Sequence, residues 1–123
     1  MTGKKIFHPL IRKGDFKKVF EHGSKFSSRY LVIYAQPNGL SFSRLGLSVS
    51  KKVGTAVVRN RTKRRLREAV RKQLMNNPLR YDLIIVARKA AAEAGFADLN
   101  RGVIKALSGL VNEDNSHNNN KTV

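Results

Sequence analysis

Arg44-Leu45-Gly46-Leu47-Ser48-Val49-Ser50, a basic run from Lys51 to Lys72, and then Tyr81-Asp82-Leu83-Ile84-Ile85-Val86-Ala87-Arg88 form the centre of this chain. The first segment alternates. Leu45, Leu47 and Val49 fall on one side and Gly46, Ser48 and Ser50 on the other, the two-residue period of a strand with one buried face. The last segment is an almost unbroken apolar run, as in a central strand covered on both faces. Between them Gly54 and Thr55 open a helix that continues to about Asn77, where Pro78 ends it.

Working outward, Asp15 is a good helix N-cap, followed by Phe16, Val19 and Phe20 at helical spacing and by Gly23 as a stop. This predicts a short helix over roughly 15–22. Tyr30-Leu31-Val32-Ile33-Tyr34 is rich in β-branched and aromatic residues and reads as a strand. Pro37-Asn38-Gly39 signals a turn after it, which predicts a hairpin between this strand and residues 44–50. Ser24–Ser28 adds a short strand. Asp98 is placed to cap a last helix, with Leu99, Val103, Leu107, Leu110 and Val111 on one face. Residues 1–13 read as an irregular basic arm, and the polar, Asn-rich Asn112–Val123 as a disordered tail. The order is helix, two or three strands, helix, strand, helix. It predicts a single α+β domain over residues 1–111, a sandwich of helices on a small sheet.

The 123 residues carry 25 Lys and Arg against 8 Asp and Glu, a formal charge of +17. So large an excess points to a polyanionic partner, because Lys and Arg displace the counterions condensed on phosphates. It also makes the folded monomer repel itself. Hydrophobic residues at 41% are enough for a modest core. There is no cysteine, which fits a reducing compartment and removes disulfides and thiolate metal sites. The apolar stretch near the N-terminus is broken by His8 and Pro9 and is too short for a signal peptide. No apolar run approaches the roughly 20 residues of a membrane span. A cytoplasmic protein is expected.

Lys51–Lys72 concentrates this charge: Lys51, Lys52, Arg59, Arg61, Lys63, Arg64, Arg65, Arg67, Arg71 and Lys72, with Glu68 as its only acid. Stepping at about 100° per residue, Val58, Leu66, Ala69, Val70 and Leu74 share one half of the wheel. Asn60, Arg61, Arg64, Arg65, Arg67, Arg71 and Lys72 share the other. Arg59 and Lys63 land inside the apolar arc and do not fit the pattern. A solvated basic face is the plain reading of most such helices. Here like charges crowd without compensation, which costs stability unless a partner offsets it. Arg forks match phosphate oxygens, and free N–H groups at the helix start add to the anion site.

Catalytic chemistry finds little support. His8, His22 and His117 are scattered and lack partners at useful spacing. The eight acids form no cluster suited to two-metal phosphoryl transfer. Ser48 and Ser50 have no adjacent base, and no Walker-type loop is present.

The segments Gly46-Leu47-Ser48-Val49-Ser50-Lys51-Lys52-Val53-Gly54 and Ala56-Val57-Val58-Arg59-Asn60-Arg61-Thr62-Lys63-Arg64-Arg65-Leu66-Arg67-Glu68 resemble the signature of the bacterial ribonuclease P protein subunit. Its hallmark is an Arg-Asn-Arg core followed by Lys-Arg and a further Arg. The resemblance takes in Asp15–Phe20 and Gly23 upstream and Tyr81-Asp82 to Ala87-Arg88-Lys89 downstream, and so covers roughly residues 14–111. It implies an αβββαβα two-layer sandwich with a small mixed sheet, like the second domain of ribosomal protein S5. It also implies a left-handed β-α-β crossover, against the usual hand. Further, it implies an endoribonuclease whose active site belongs to an RNA subunit, with Mg²⁺ held mainly by that RNA. The partners would be the RNA subunit and precursor tRNA, with no membrane and no small-molecule ligand. Lys51, Lys52, Arg59, Asn60, Arg61, Lys63, Arg64, Arg65, Arg67 and Arg71 would bind the RNA subunit. Phe16, Phe20 and Tyr34 would line a cleft for the single-stranded 5′ leader, whose bases stack on rings with little sequence demand. Spacing alone favours the core for Phe16 and Phe20; the resemblance reverses that. Phe7, Phe26, Tyr30, Phe42, Tyr81 and Phe96 are taken as packing residues. Two other classes share the charge and size: a structural RNA-binding protein of the ribosomal kind, and a basic DNA-binding protein.

The charge excess gives a folding prediction. In dilute, non-coordinating buffer, circular dichroism should show lost structure that sulfate or phosphate restores. A fully folded chain under those conditions would rule out self-repulsion as a major term.

Overall fold

The computed structural model describes residues 6–121, with side chains as far as Leu110. The elements run β1 (Phe7–Pro9), α1 (Lys13–His22), β2 (Ser24–Ser27), β3 (Leu31–Pro37), β4 (Ser43–Ser48), α2 (Ala56–Asn76), β5 (Tyr81–Ala87), a 3₁₀ turn (Lys89–Glu93) and α3 (Phe96–Lys121). From α1 onward this is the expected αβββαβα order, with β1 added in front. The five strands form one mixed sheet in the order β1-β4-β5-β3-β2.

Strand β5 lies at the centre because its sequence is apolar on both faces. Leu83, Ile85 and Ala87 join the main core with Leu31, Ile33 and Ala35 of β3, Leu66 and Val70 of α2, and Leu99 and Val103 of α3. The alternate residue Ile84 packs with Leu10 and Val19 of α1 on the opposite side, flanked by Phe16, Tyr34 and Val86. Helices α2 and α3 therefore cover one face, and α1 sits on the other. Strands β4 and β5 are adjacent and parallel, with Leu45 opposite Leu83 and Leu47 opposite Ile85, so β4-α2-β5 is a β-α-β unit.

The structure corrects four expectations. The hairpin between residues 30–34 and 44–50 does not form. Strand β5 inserts between them, antiparallel to β3 and parallel to β4, because a strand buried on both faces needs a neighbour on each edge. The hairpin is β2–β3 instead. Next, the basic arm is not wholly irregular: Phe7–Pro9 pairs with β4 in parallel, the Leu10 N–H donates to the Leu45 carbonyl at 2.9 Å, and Leu10 is buried. The rest of that expectation, over residues 1–5, lies outside the described residues. Third, Asp15 is not the N-cap. Helix α1 starts at Lys13, and no side chain caps it. Fourth, α3 runs through Lys121, where a disordered tail is expected from Asn112, because no Gly or Pro interrupts that stretch. At its start Asp98 reaches back, with Oδ2 accepting from the Gly95 N–H at 3.3 Å; this is the carboxylate half of a capping box.

Asp15 is used in a polar junction under α1. Arg44 stands opposite Asp82 across β4 and β5. Its Nε donates to Asp82 Oδ1 at 2.8 Å and its Nη2 to Oδ2 at 2.6 Å, while Nη1 donates to Asp15 Oδ2 at 3.3 Å. Asn38 Nδ2 donates to Asp82 Oδ1 and to the Phe42 carbonyl, both at 3.0 Å. That pair of bonds ties the β3–β4 connection across the end of β5. The hydrogen bond and charge of Asp82 outweigh desolvation and raise the Arg44 pKa above its ordinary value.

Removing one partner of a buried pair leaves the other charge uncompensated, which costs about 3–5 kcal/mol. Arg44→Ala should lose stability of that order in urea unfolding. Lys17→Ala removes an exposed pair with Glu21 at 3.9 Å and should change stability by less than about 1 kcal/mol. Similar values for the two variants would refute the role given to Arg44.

Candidate nucleic-acid interface

Helix α2 is fixed by its start and by one face. Thr55 caps it, with Oγ1 accepting from the Val58 N–H at 3.4 Å. Gly54 before it has φ 157°, and a Cβ there would lie 3.0 Å from Val58 Cβ and Cγ1. Thr62, Leu66, Ala69, Val70 and Leu74 are buried. Thr62 was not foreseen as core: its hydroxyl is satisfied within the helix, donating to the Val58 carbonyl at 2.9 Å.

The cations of α2 divide by direction. On the α3 side, Arg65 Nη1 donates to the Ala94 carbonyl at 2.9 Å, and Lys72 Nζ lies 5.1 Å from the centre of the Phe96 ring. Both are engaged within the fold. Asn60, Arg64 and Arg67 are exposed and point outward. Arg59, Arg61 and Lys63, with Arg71, are half-buried. Arg59 and Lys63, which fall inside the apolar arc by wheel position, are thus only half-buried, as long side chains that carry their charged ends outward can be. Nε of Arg59 and Nε of Arg61 are covered and without a hydrogen-bond partner among the described residues. Arg71 forks onto Glu68, Nε to Oε2 at 3.0 Å and Nη2 to Oε1 at 2.5 Å. The Arg71 hydrogen bond holds the Glu68 carboxyl below the usual range. This contact is therefore present above ordinary carboxylate pKa values and is lost as pH falls through the lowered one. Lys51 and Lys52 are exposed on the turn before α2.

Among the described side chains, every acid except Glu93 is held in an ion pair. Asp15 and Asp82 pair with Arg44, Glu21 with Lys17, Glu68 with Arg71 and Asp98 with Arg101. The outward face of α2 therefore keeps its charge. Among the described residues no three His, Asp or Glu side chains gather as a metal site. Nor is any described helix long and apolar enough to cross a membrane.

On the other face of the sheet, α1 buries Val19 fully, half-buries Phe16 and leaves Phe20 at the surface. Phe20 is 44% exposed. Its ring meets Tyr34 of β3 edge-on at 4.8 Å and 77°, and Phe16 at 6.4 Å. The structure thus brings Phe16, Phe20 and Tyr34 together, outside the main core, as a small aromatic platform. Lys25 Nζ lies 5.8 Å from the Tyr34 ring centre, and Lys13, Lys17 and Lys18 are exposed on α1. Ile11 was missed in the sequence. It is 76% exposed and shares a shallow depression with Phe16 and Phe20. Its only sequence signal was an apolar residue amid basic neighbours.

A cationic helix face and a separate aromatic platform with a lysine rim are what a protein needs to hold folded RNA and an unpaired strand at once. The ribonuclease P family model matches residues 5–111. The chain belongs to the ribonuclease P protein component family. A ribonuclease P protein component from Caldanaerobacter subterraneus subsp. tengcongensis is 47% identical over 100 residues, covering 80% of this chain and 84% of that one. One from Clostridioides difficile is 41% identical over 96 residues, covering 76% and 83%. In three dimensions the Staphylococcus aureus RNase P protein superposes with a TM-score of 0.74 at 31% identity, over 82% of this chain and 93% of that one. Family membership fixes the fold around α1 and α2, so both surfaces belong to a ribonuclease P protein scaffold.

Outward and inward arginines of α2 should separate experimentally. Arg64→Ala and Arg67→Ala should each reduce the slope of log K against log salt for RNA binding by about 1 and leave the melting temperature unchanged. Arg65→Ala should lower the melting temperature, because a charged hydrogen bond is worth about 1.5–3 kcal/mol, and leave the slope unchanged. The reverse pattern would invert the assignment.

Proposed function

We propose that this chain is the protein subunit of a cytoplasmic ribonuclease P ribonucleoprotein that removes the 5′ leader of precursor tRNA. The observation that carries the reading is the separation of two surfaces on one small fold. The α2 face with Arg59-Asn60-Arg61, joined by Lys51, Lys52, Lys63, Arg64, Arg67 and Arg71, takes the RNA subunit. The platform of Phe16, Phe20 and Tyr34 takes the leader. Of the α2 cations, Arg65 contributes chiefly by holding α2 to the segment before α3.

The chain's own work is binding and placement. Phosphates of the RNA subunit displace counterions from the α2 face. Unpaired leader bases stack on rings that accept any base, while the lysine rim follows their phosphates. Among the described residues no three His, Asp or Glu side chains gather for a metal, and Arg44 holds Asp15 and Asp82. On this reading the active site belongs to the RNA, together with the Mg²⁺ that would supply charge neutralisation for phosphodiester hydrolysis.

The test is cleavage of precursor tRNA by the RNA subunit at low Mg²⁺, with and without the full chain. The wild-type chain should stimulate cleavage at the mature 5′ end; absence of stimulation overturns the subunit reading. Phe16→Ala with Phe20→Ala should weaken binding of leader-bearing substrate by at least about tenfold, given roughly 1–3 kcal/mol per stacked base. Binding of leaderless substrate should be nearly unchanged. Equal losses on both substrates would overturn the leader assignment.

A further inference from the structure

A groove of about 860 Å³ lies on the far side of Phe16 from the aromatic platform. Its volume is within the roughly 300–1,000 Å³ of pockets that take small organic groups. Phe7 of β1, Leu47 of β4, Phe16 and Met75 supply its apolar lining, and Lys63, Arg67 and Arg71 supply one wall. No carboxylate borders it among the described residues. Lys63 and Arg67 have no ion pair or hydrogen bond there, whereas Arg71 shares its charge with Glu68. Gly46 lets the Phe16 ring lie directly on β4 as the groove's inner wall; a Cβ there would lie 2.5 Å from Phe16 Cζ. Met75 stands at the mouth, 56% exposed, with Arg71 Nη1 at 3.2 Å from its sulfur.

We propose that this groove receives an unpaired nucleotide of the RNA subunit, its base against Phe7, Leu47 and Met75 and its phosphate on Lys63 and Arg67. Charge complementarity selects the occupant: three cations beside an apolar slot match a group that is flat and apolar at one end and anionic at the other. Position selects the source. The cationic wall is a flank of α2, and Arg67 also belongs to its outward face, so the groove is continuous with the surface given to the RNA subunit. Phe16 walls it off from the platform given to the leader. The proposal rests on the RNA-subunit reading above and adds that one base leaves its stack to enter the protein.

Two measurements on the full chain test it. Adenosine 5′-monophosphate titrated into isotopically labelled protein should shift the Phe7 and Leu47 amides and the Met75 methyl, whereas inorganic phosphate should shift only signals of Lys63, Arg67 and Arg71. No shift at Phe7, Leu47 and Met75, or the same shifts with phosphate alone, overturns the base site. In the second, Met75→Glu places a carboxylate at the mouth, and Ser108→Glu places the same charge on exposed α3. Met75→Glu should weaken binding to the RNA subunit at least about tenfold and leave the preference for leader-bearing substrate intact. Ser108→Glu should stay within about twofold of wild type. If wild type binds the RNA subunit and the two variants behave alike, the groove proposal falls and the subunit reading stands. If wild type does not bind it, the subunit reading itself has failed.

Discussion

Arg44 sits where β4, β5 and α1 meet, and its guanidinium satisfies Asp82 in the sheet and Asp15 on the helix at once. A carboxylate as buried as Asp82 is tolerated only when it is paired and hydrogen-bonded. Its pairing therefore fixes the β4–β5 register, and the third bond to Asp15 sets where α1 lies over the sheet. Phe16 follows directly after Asp15, so the same junction aims the ring that separates the platform from the groove. The bond from Asn38 to Asp82 extends the constraint to the β3–β4 connection. Positions of the exposed groups on α1 are thus set by charges held beneath them.

The distribution of acids explains how a chain of charge +17 can fold and still present uncompensated cationic faces. The described ion pairs consume carboxylates at α1, the β4–β5 junction, mid-α2 and the start of α3. Arg64 and Lys52 take part in none of them. Like charges left on one helix face repel, and a polyanion relieves that repulsion while gaining from counterion release. Stability and the proposed binding are therefore linked through the same residues, those of the α2 face.

The elements were legible because their signals are local. Thr55 and Pro78 bracket α2, alternation marks β4, and the unbroken apolar run Leu83–Ala87 marks a strand covered on both faces. Failures occurred where pairing or charge partners decide. A turn signal at Pro37-Asn38-Gly39 suggested a hairpin, but turn chemistry says nothing about a strand more than 40 residues later that inserts between its arms. Asp15 has the right chemistry for a cap, yet a guanidinium from another element claims it. Phe7–Pro9 carries no strand pattern because a three-residue edge strand is held by its neighbour's backbone rather than by its own side chains.

By itself the sequence determined the charge, the apolar stripe of α2, the two-faced strand and the Arg-Asn-Arg motif, because each depends on residue type and short-range spacing. Only the tertiary structure decided which cations are free. Arg64 and Arg65 are neighbours of the same kind, but a turn of about 100° sends one to solvent and the other to the Ala94 carbonyl. The same holds for the aromatic residues. Phe16 and Phe20 have the spacing of core residues, yet Phe16 is only half-buried and Phe20 is exposed, because α1 meets the sheet through Val19 and leaves their side over Tyr34 open.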